Sequence, residues 1–161
     1  MRLIFGLLHL FLLSNVLLAQ TDNYKSLDGA DKVIDPLRSN CLTNSPILST
    51  QLDGRTEEWR RCSYSNNREL FIITSSDERT DYFELFLTID NALVYAEESI
   101  ISYSQRPDNG TPWTCQYLLA DRNVVDYISL GHGETEDENW QPESIFEQWN
   151  ARLATYGTLQ K

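Results

Sequence analysis

The sequence predicts an α+β domain: an antiparallel β-meander of about five to six strands that is covered by a C-terminal helix. Three observations favour this fold, namely apolar residues at period two, short polar turns between them, and one amphipathic segment near the end. The clearest strand is "YFELFLTI", residues 82–89, whose apolar side chains alternate at Phe83, Leu85, Leu87 and Ile89. Alternation of this kind places the four side chains on one face of a strand.

The first 19 residues are typical of a signal peptide. Arg2 is followed by a nearly unbroken apolar run that ends at Ala19, a small residue suited to cleavage. The run is too short for a bilayer span, although an uncleaved anchor is the alternative. We therefore expect an exported protein, periplasmic or secreted, with no membrane association once the signal is removed.

The remaining chain is long enough for one domain with a core of its own. We assign residues 20–32 to a flexible lead-in, 33–157 to a single α+β domain and 158–161 to a tail. "KVIDPLRSNCL" is a candidate for a short N-terminal helix with Pro36 near its first turn, which would pack on the sheet beside the C-terminal helix. "TNSPILSTQLDG", residues 43–54, is punctuated by proline and glycine and reads as a loop.

Six segments carry strand patterns from residue 57 onwards. They are "EEWRRCSY", "ELFIITSS", "YFELFLTI", "ALVYAEESIISYS", "WTCQYLLA" and "NVVDYISL". The turns between them contain Asn66-Asn67, "SSDERTD", Asp90-Asn91, "QRPDNGTP" and Asp121-Arg122, all rich in turn-forming residues. Consecutive strands joined by short turns predict a meander.

The last element is predicted to be a helix from about Pro142 to Gly157. Proline suits the first helical position and glycine suits the end of a helix. Its apolar stripe consists of Ile145, Phe146, Trp149, Leu153 and Tyr156. The simplest architecture has two layers, with this stripe packed on one face of the sheet.

Two of the hairpins are alike: "FLTIDNALVYAEES" and "YLLADRNVVDYISL". Together with the ending "LGHGETEDENWQPESIFEQW", they resemble small exported bacterial proteins of uncharacterised function with repeated hairpins of the form Tyr-Tyr-Phe-x-Asn-Gly-Lys-Leu-Ile. The resemblance covers about residues 57–156, and the chain departs from it at Ala92 and Asn123, where the pattern favours glycine. It implies export and the sheet, and it implies no activity.

The composition excludes several classes of function. Without Arg2, the chain has 24 acidic residues and 12 basic ones. The resulting negative electrostatic field repels nucleic acid and anionic lipid. Lysine occurs only at Lys25, Lys32 and Lys161, so the body of the domain has no Schiff-base lysine or phosphate-binding Gly-Lys-Ser/Thr loop. No dinucleotide fingerprint is present, and we expect no cofactor.

Three cysteines remain for disulfide formation in an oxidising compartment. We expect a Cys41–Cys62 bond, because the nearer pair closes more easily, and it would contribute about 3 kcal/mol to stability. The alternative is Cys62–Cys115, since both of these cysteines follow a tryptophan on a strand-like segment. Either pairing leaves one free thiol.

The stretch "SLGHGETEDENWQPES", residues 129–144, contains the only histidine outside the signal, His132. An imidazole near carboxylates suits a transition metal, which makes His132, Glu134, Glu136 and Asp137 the candidate metal ligands. The simpler interpretation is a polar turn whose acids precede a helix N-terminus, where negative charge is favourable. We take the simpler one and expect no metal and no catalytic residue.

Function is not determined by these patterns, but two hypotheses differ in kind. The first is an exported, non-enzymatic binding module, because residues 121–147 hold eight acids and one base and could attract a basic protein. Tyr95, Tyr117 and Tyr127 fall on strands, so some of them must face outward, and those would add contact surface. The alternative is a metal-assisted or carboxylate-based hydrolase centred on the 131–138 loop.

Overall fold

The computed structural model describes residues 26–160 except for residues 53 and 104–109, so the signal segment and residues 20–25 lie outside the described part. Seven antiparallel strands form one sheet in chain order. They are β1 (Leu48–Leu52), β2 (Arg55–Tyr64), β3 (Arg68–Ser76), β4 (Thr80–Ile89), β5 (Ala92–Tyr103), β6 (Gly110–Ala120) and β7 (Asn123–Gly131). The α+β meander predicted from the sequence is therefore confirmed.

The strand count of five to six was wrong, and β1 is the strand that was missed. It lies within the segment that was predicted to be a loop, and it pairs with β2 from Leu48↔Trp59 to Leu52↔Arg55. Its five residues are exposed or half-buried, so they show no apolar alternation. A short, polar edge strand is held by its neighbour's backbone and leaves little trace in the sequence.

Helix α1 spans Leu27–Asn44 and begins at Ser26, whose hydroxyl accepts a hydrogen bond from the Gly29 amide at 3.2 Å. At 18 residues it is not the short helix that the sequence suggested. Residues 27–32, assigned above to the lead-in, belong to it because Ala30 is fully buried against the sheet. Pro36 lies in the middle of the helix and not in its first turn.

Helix α2 spans Ser144–Leu159. Ile145, Trp149 and Tyr156 are buried as predicted, whereas Leu153 is 41% exposed. Gly157 does not end the helix, which continues for two more residues, and a Cβ at this position would contact nothing. Neither helix among the described residues has the length and apolarity needed to cross a bilayer.

The two helices lie on opposite faces of the sheet, so the domain has three layers and not two. Odd and even positions of the central strands are both apolar, as in Leu70-Phe71-Ile72-Ile73 of β3. The face under α1, named the α1 face, is formed around Leu70, Ile72, Leu85, Leu87, Tyr95 and Leu118. The face under α2, named the α2 face, is formed around Trp59, Phe71, Phe86, Trp113 and Tyr117, against which Trp149 of α2 packs.

The β4–β5 and β6–β7 hairpins share details that go beyond composition. Each turns through two residues with positive φ, Asp90-Asn91 and Asp121-Arg122, as in a type I′ turn. Each pairing also shifts register at the same distance from the turn, between Leu87 and Thr88 in one hairpin and between Leu118 and Leu119 in the other. The two hairpins are therefore repeats in backbone geometry.

The expected disulfide is present: Cys41 of α1 is bonded to Cys62 of β2. It fastens the C-terminal half of α1 to the sheet and indicates an oxidising environment. Cys115 is free and fully buried on the α2 face. The alternative Cys62–Cys115 pairing would have required the two residues to share a face, whereas Cys62 contacts the α1 core.

Candidate functional site: the acidic groove after β7

The loop that follows β7 is held against the sheet by Trp113 of β6. The indole Nε1 donates to Ser129 Oγ at 3.0 Å and to Thr135 Oγ1 at 3.2 Å. Gly133 lies so close to the indole that a Cβ would come within 2.3 Å of it. Gly131 has φ +87° and faces the Pro112 carbonyl at a distance that excludes any side chain. Both glycines are thus explained by close packing, without a ligand.

Further backbone bonds shape the next residues into a compact bend. A 3₁₀ turn covers Glu134–Glu136, and the Asp137 carboxylate then accepts the Asn139 amide at 2.7 Å. The Trp140 amide donates to the Asp137 carbonyl, and the Trp140 ring packs edge-on against Tyr127 of β7 with 5.3 Å between ring centroids. The bend therefore delivers Trp140 to the start of α2 in a defined position.

Between this bend and the first turns of α2 lies an open groove of about 560 Å³. We name it the acidic groove and define it by its lining residues: Glu134, Asp137, Asn139, Trp140, Gln141, Glu143, Ser144 and Glu147. Its four carboxylates are exposed, and none of them forms an ion pair with another residue in the described part of the chain. The groove is thus a concave surface with uncompensated negative charge and one half-buried indole.

The four residues considered as metal ligands separate into two pairs. Glu134 and Asp137 line the acidic groove. His132 and Glu136 instead bond to each other, with 2.6 Å between Nδ1 and Oε1, on a part of the loop where the imidazole is 82% exposed. The Glu136 carboxylate raises the pKa of His132 and so favours the imidazolium, which is not a metal ligand. No cluster of three or more His, Cys, Asp or Glu side chains suited to a metal occurs among the described residues.

The nucleophiles considered beside His132 are engaged elsewhere. Ser129 Oγ lies between Trp113 Nε1 and Thr135 Oγ1, 2.8 Å from the latter. Burial raises the pKa of the Cys115 thiol to about 11, so the thiolate is a minor species at neutral pH. Neither side chain is activated by a neighbouring base.

Glu98 of β5 is a feature of this region that the sequence did not single out. It is half-buried on the α2 face, and its carboxylate accepts a hydrogen bond from the Tyr117 hydroxyl at 2.7 Å. Burial raises its pKa to about 7, and the negative charge of Glu134 adds to the effect. The negative charge of the acidic groove therefore acts on the Glu98 carboxyl group in the sheet, and the pKa of that group lies near neutral pH.

A buried charge network holds the helix that forms the other wall of the groove. Arg152 of α2 donates to both carboxylate oxygens of Glu84, at 2.7 and 2.5 Å, and to Glu57 at 3.0 Å. Glu57 also accepts the Trp59 indole N–H. Glu84 sits in the middle of the clearest apolar strand, and an acid in such a place signals a buried partner. The sequence alone does not show that Arg152 is the basic partner of Glu84.

A second, smaller depression of about 440 Å³ lies on the α1 face, at the end of the sheet that α1 leaves open. Hydroxyl groups dominate its lining: Thr56, Thr74, Ser75, Ser76, Tyr82 and Ser99 contribute, beside Glu58 and Asp81. It combines fewer carboxylates with no tryptophan and gives no reason to prefer a particular ligand.

Comparisons of the chain with protein-family models, curated proteins and solved structures found no match. The fold and the geometry of the groove are consequently the basis for any functional conclusion.

Proposed function

We propose that this chain is an exported, non-enzymatic binding module that holds a basic segment of another protein in the acidic groove. The observation that carries the proposal is the arrangement of four exposed, unpaired carboxylates around the Trp140 indole, within the described part of the chain. Carboxylates attract lysine and arginine side chains, and an indole face adds a cation–π contact of about 0.5–1 kcal/mol at an exposed site. An arginine, which stacks and hydrogen-bonds at once, suits this surface best.

The charge of the whole molecule supports the same partner. The formal net charge is −11, so the long-range field would accelerate the approach of a cationic protein and slow that of an anionic one. The disulfide supports an oxidising compartment, which agrees with the signal-like first 19 residues and with an extracytoplasmic partner.

Rigidity also favours a binding role for the groove. One wall is anchored by Trp113, and the other belongs to a helix that is fixed by Arg152 and Trp149. A preformed surface loses little conformational entropy when it binds. The hydrolase hypothesis would instead need His132 and Glu134 to act on one substrate, and the two side chains engage different surroundings.

The direct test is a titration with octa-arginine as the cationic probe. The groove variant carries four charge-neutralising changes: Glu134→Gln, Asp137→Asn, Glu143→Gln and Glu147→Gln. We expect it to bind the probe at least about tenfold more weakly than the wild type, because local attraction is lost. Affinity of the wild type should also fall when salt is raised from about 0.05 to about 0.5 M.

A matched control separates the groove from overall charge. The control variant neutralises four exposed acids outside the groove: Asp28→Asn, Asp35→Asn, Glu58→Gln and Glu78→Gln. Its net charge equals that of the groove variant, but we expect it to retain most of the affinity. Equal weakening in both variants would mean that only net charge matters, and the proposal for the groove would then be wrong.

A further inference from the structure

The free edge of β7 lacks the features that usually protect an edge strand. β7 is the last strand of the sheet, nine residues long, and carries a single charge at Asp126. Three of its apolar side chains are strongly exposed: Val125 at 59%, Ile128 at 43% and Leu130 at 64%. Natural sheets shorten, charge or cover such edges, because an open row of backbone groups pairs with other strands.

The chain itself does not cover this edge within the described residues. After Gly131 the loop turns onto the α2 face, where Thr135 bonds to Trp113 of β6, the strand before β7. Trp140 reaches Tyr127 from that same face. The edge of β7 and its α1-face side chains, Ile128 and Leu130, stay open to solvent.

We propose that two copies of this chain pair through β7, antiparallel and about a two-fold axis perpendicular to the sheet, to form one continuous sheet of two domains. Such an axis keeps the α1 faces of the copies on the same side. Because strand residues alternate, it brings Ile128 and Leu130 of both copies together as a four-residue apolar cluster over the joint. A two-fold interface of this kind needs only one self-complementary patch.

Charge complementarity selects a second copy as the occupant of this edge. Antiparallel pairing places the start of one β7 beside the end of the other. Arg122 stands at the start and is the only Lys or Arg among residues 121–147, while the loop that follows the end carries Glu134, Asp137 and Glu138 besides Glu136, which is bonded to His132. Each copy would therefore set its Arg122 against the acidic loop of the other, at both ends of the joint. The single charge within the strand, Asp126, does not face its own copy when the axis passes through Ile128 or Ser129. With the axis through Ser129 it lies beyond the apolar cluster, because Ile128 of each copy then faces Leu130 of the other.

The opposite edge offers no comparable surface. β1 has five residues, and its exposed leucines, Leu48 and Leu52, stand at its two ends. The regular part of β7 beyond its bulge at Val125 runs from Asp126 to Gly131 and keeps its apolar residues adjacent on one face. We therefore assign self-association to β7 alone.

Sedimentation velocity on the full exported chain tests the proposal. We expect a monomer–dimer equilibrium that depends on concentration, with Ile128→Lys raising the dimer dissociation constant at least about tenfold, because the new charge would enter the apolar cluster. Leu153→Lys is the matched control: Leu153 is exposed to a similar degree, at 41%, but lies on α2 away from the joint. It should leave the dimer unchanged. A wild type that stays monomeric at all concentrations, or equal effects of the two variants, would refute the proposal.

Cross-linking provides a readout that does not depend on how Ile128→Lys folds. An antiparallel two-fold pairing puts the central residue opposite its own copy, so Ile128→Cys or Ser129→Cys should form an intermolecular disulfide under mild oxidation. Cys115 is fully buried and does not interfere. Ser49→Cys, in the middle of β1, is the control and should remain a monomer on a non-reducing gel. Cross-linking at Ser49 and not at residues 128 or 129 would place the joint at β1 and contradict the inference.

Discussion

The two faces of the sheet are held to their helices by different means. On the α1 face, small and aliphatic side chains pack together, and the Cys41–Cys62 disulfide adds a covalent tie. On the α2 face, aromatic rings dominate: the Phe71 ring lies edge-on to both Trp149 and Tyr156, with centroids 5.0 and 5.4 Å apart. The α2 face has no covalent tie among the described residues, so its order rests on packing and on buried charges.

Each face nevertheless uses one arginine in the same role. Arg38 of α1 bonds to Glu97, which also accepts from the Tyr95 hydroxyl. Arg152 of α2 serves two carboxylates, Glu84 and Glu57. Buried carboxylates on both sides of the sheet thus fix the position of each helix, and the face that has the disulfide has the smaller charge network.

The largest expected effect comes from removing the arginine of the α2 face. Arg152→Leu would leave Glu57 and Glu84 buried without a counter-ion, at a cost of about 3–5 kcal/mol. Arg38→Leu leaves only Glu97 without its counter-ion, and it should lower the free energy of unfolding by less, because the disulfide still holds α1 to the sheet. Urea unfolding of both variants measures the difference, and a larger loss for Arg38→Leu would invert the comparison of the two faces.

Loss of the disulfide should rank next. Replacing both Cys41 and Cys62 by alanine removes a tie across 21 residues and should cost about 3 kcal/mol. Trp59, Trp113 and Trp149 lie in the α2-face core, and Trp140 packs against it. We therefore expect far-UV circular dichroism to show loosening of α1 while tryptophan emission stays native at low urea. Simultaneous loss of both signals would show that the two faces unfold as one unit.

Glu98 should make stability fall as pH rises. Its folded pKa of about 7 exceeds the ordinary value of 4.5, so the folded state binds its proton more tightly than the unfolded state does. The stabilising contribution of Glu98 is complete below about pH 4.5 and is lost as the pH rises through about 7, by roughly 3 kcal/mol. Burial raises the pKa of Glu97 as well and adds to the slope.

Glu98→Gln tests this assignment because the amide is neutral at every pH and its carbonyl can still accept from Tyr117. Chemical denaturation at pH 5 and at pH 8 should show a smaller loss of stability in the variant than in the wild type. An unchanged difference between the two pH values would mean that Glu98 does not titrate in this range.

The smallest effect is expected at His132. Its ring is exposed and bonds only to Glu136, so His132→Ala should leave the urea midpoint and octa-arginine binding unchanged. Zinc, calcium and EDTA should likewise leave the melting temperature unchanged. A clear rise with zinc that His132→Ala abolishes would restore the metal hypothesis for this loop.

The parts of the fold that were predictable are those in which the local pattern and the tertiary environment agree. Leu85 and Leu87 share a face as their spacing predicts, and the turns at Asp90-Asn91 and Asp121-Arg122 carry residues that tolerate positive φ. β1 was missed because its partner strand, and not its own sequence, holds it in place. The third layer was missed because α1 is polar on average, unlike α2, so the face shared by its few buried residues, Ala30, Ile34 and Cys41, is recognised only once the disulfide is located.

The candidate site was predictable in its composition but not in its geometry. The run of acids at residues 134–147 is visible in the sequence, and so is the neighbouring tryptophan. The 3₁₀ turn and the contact between Gly133 and Trp113 determine which acidic side chains lie close together. That contact joins residues 20 positions apart in the sequence. The raised pKa of Glu98 depends on burial by another strand and helix, which no local pattern reports.

Binding of a basic segment in the acidic groove is tested most directly by following the four indole N–H resonances by NMR while octa-arginine is added. Trp140 is the only tryptophan in the lining of the groove, whereas the indoles of Trp59 and Trp113 are bonded inside the domain. We expect the resonances of the Trp140 indole and of the backbone amides of 134–147 to shift progressively while that of the Trp59 indole stays in place. Shifts confined to residues of the α1 face, such as Glu58 and Ser99, with Trp140 unmoved, would contradict binding in the groove.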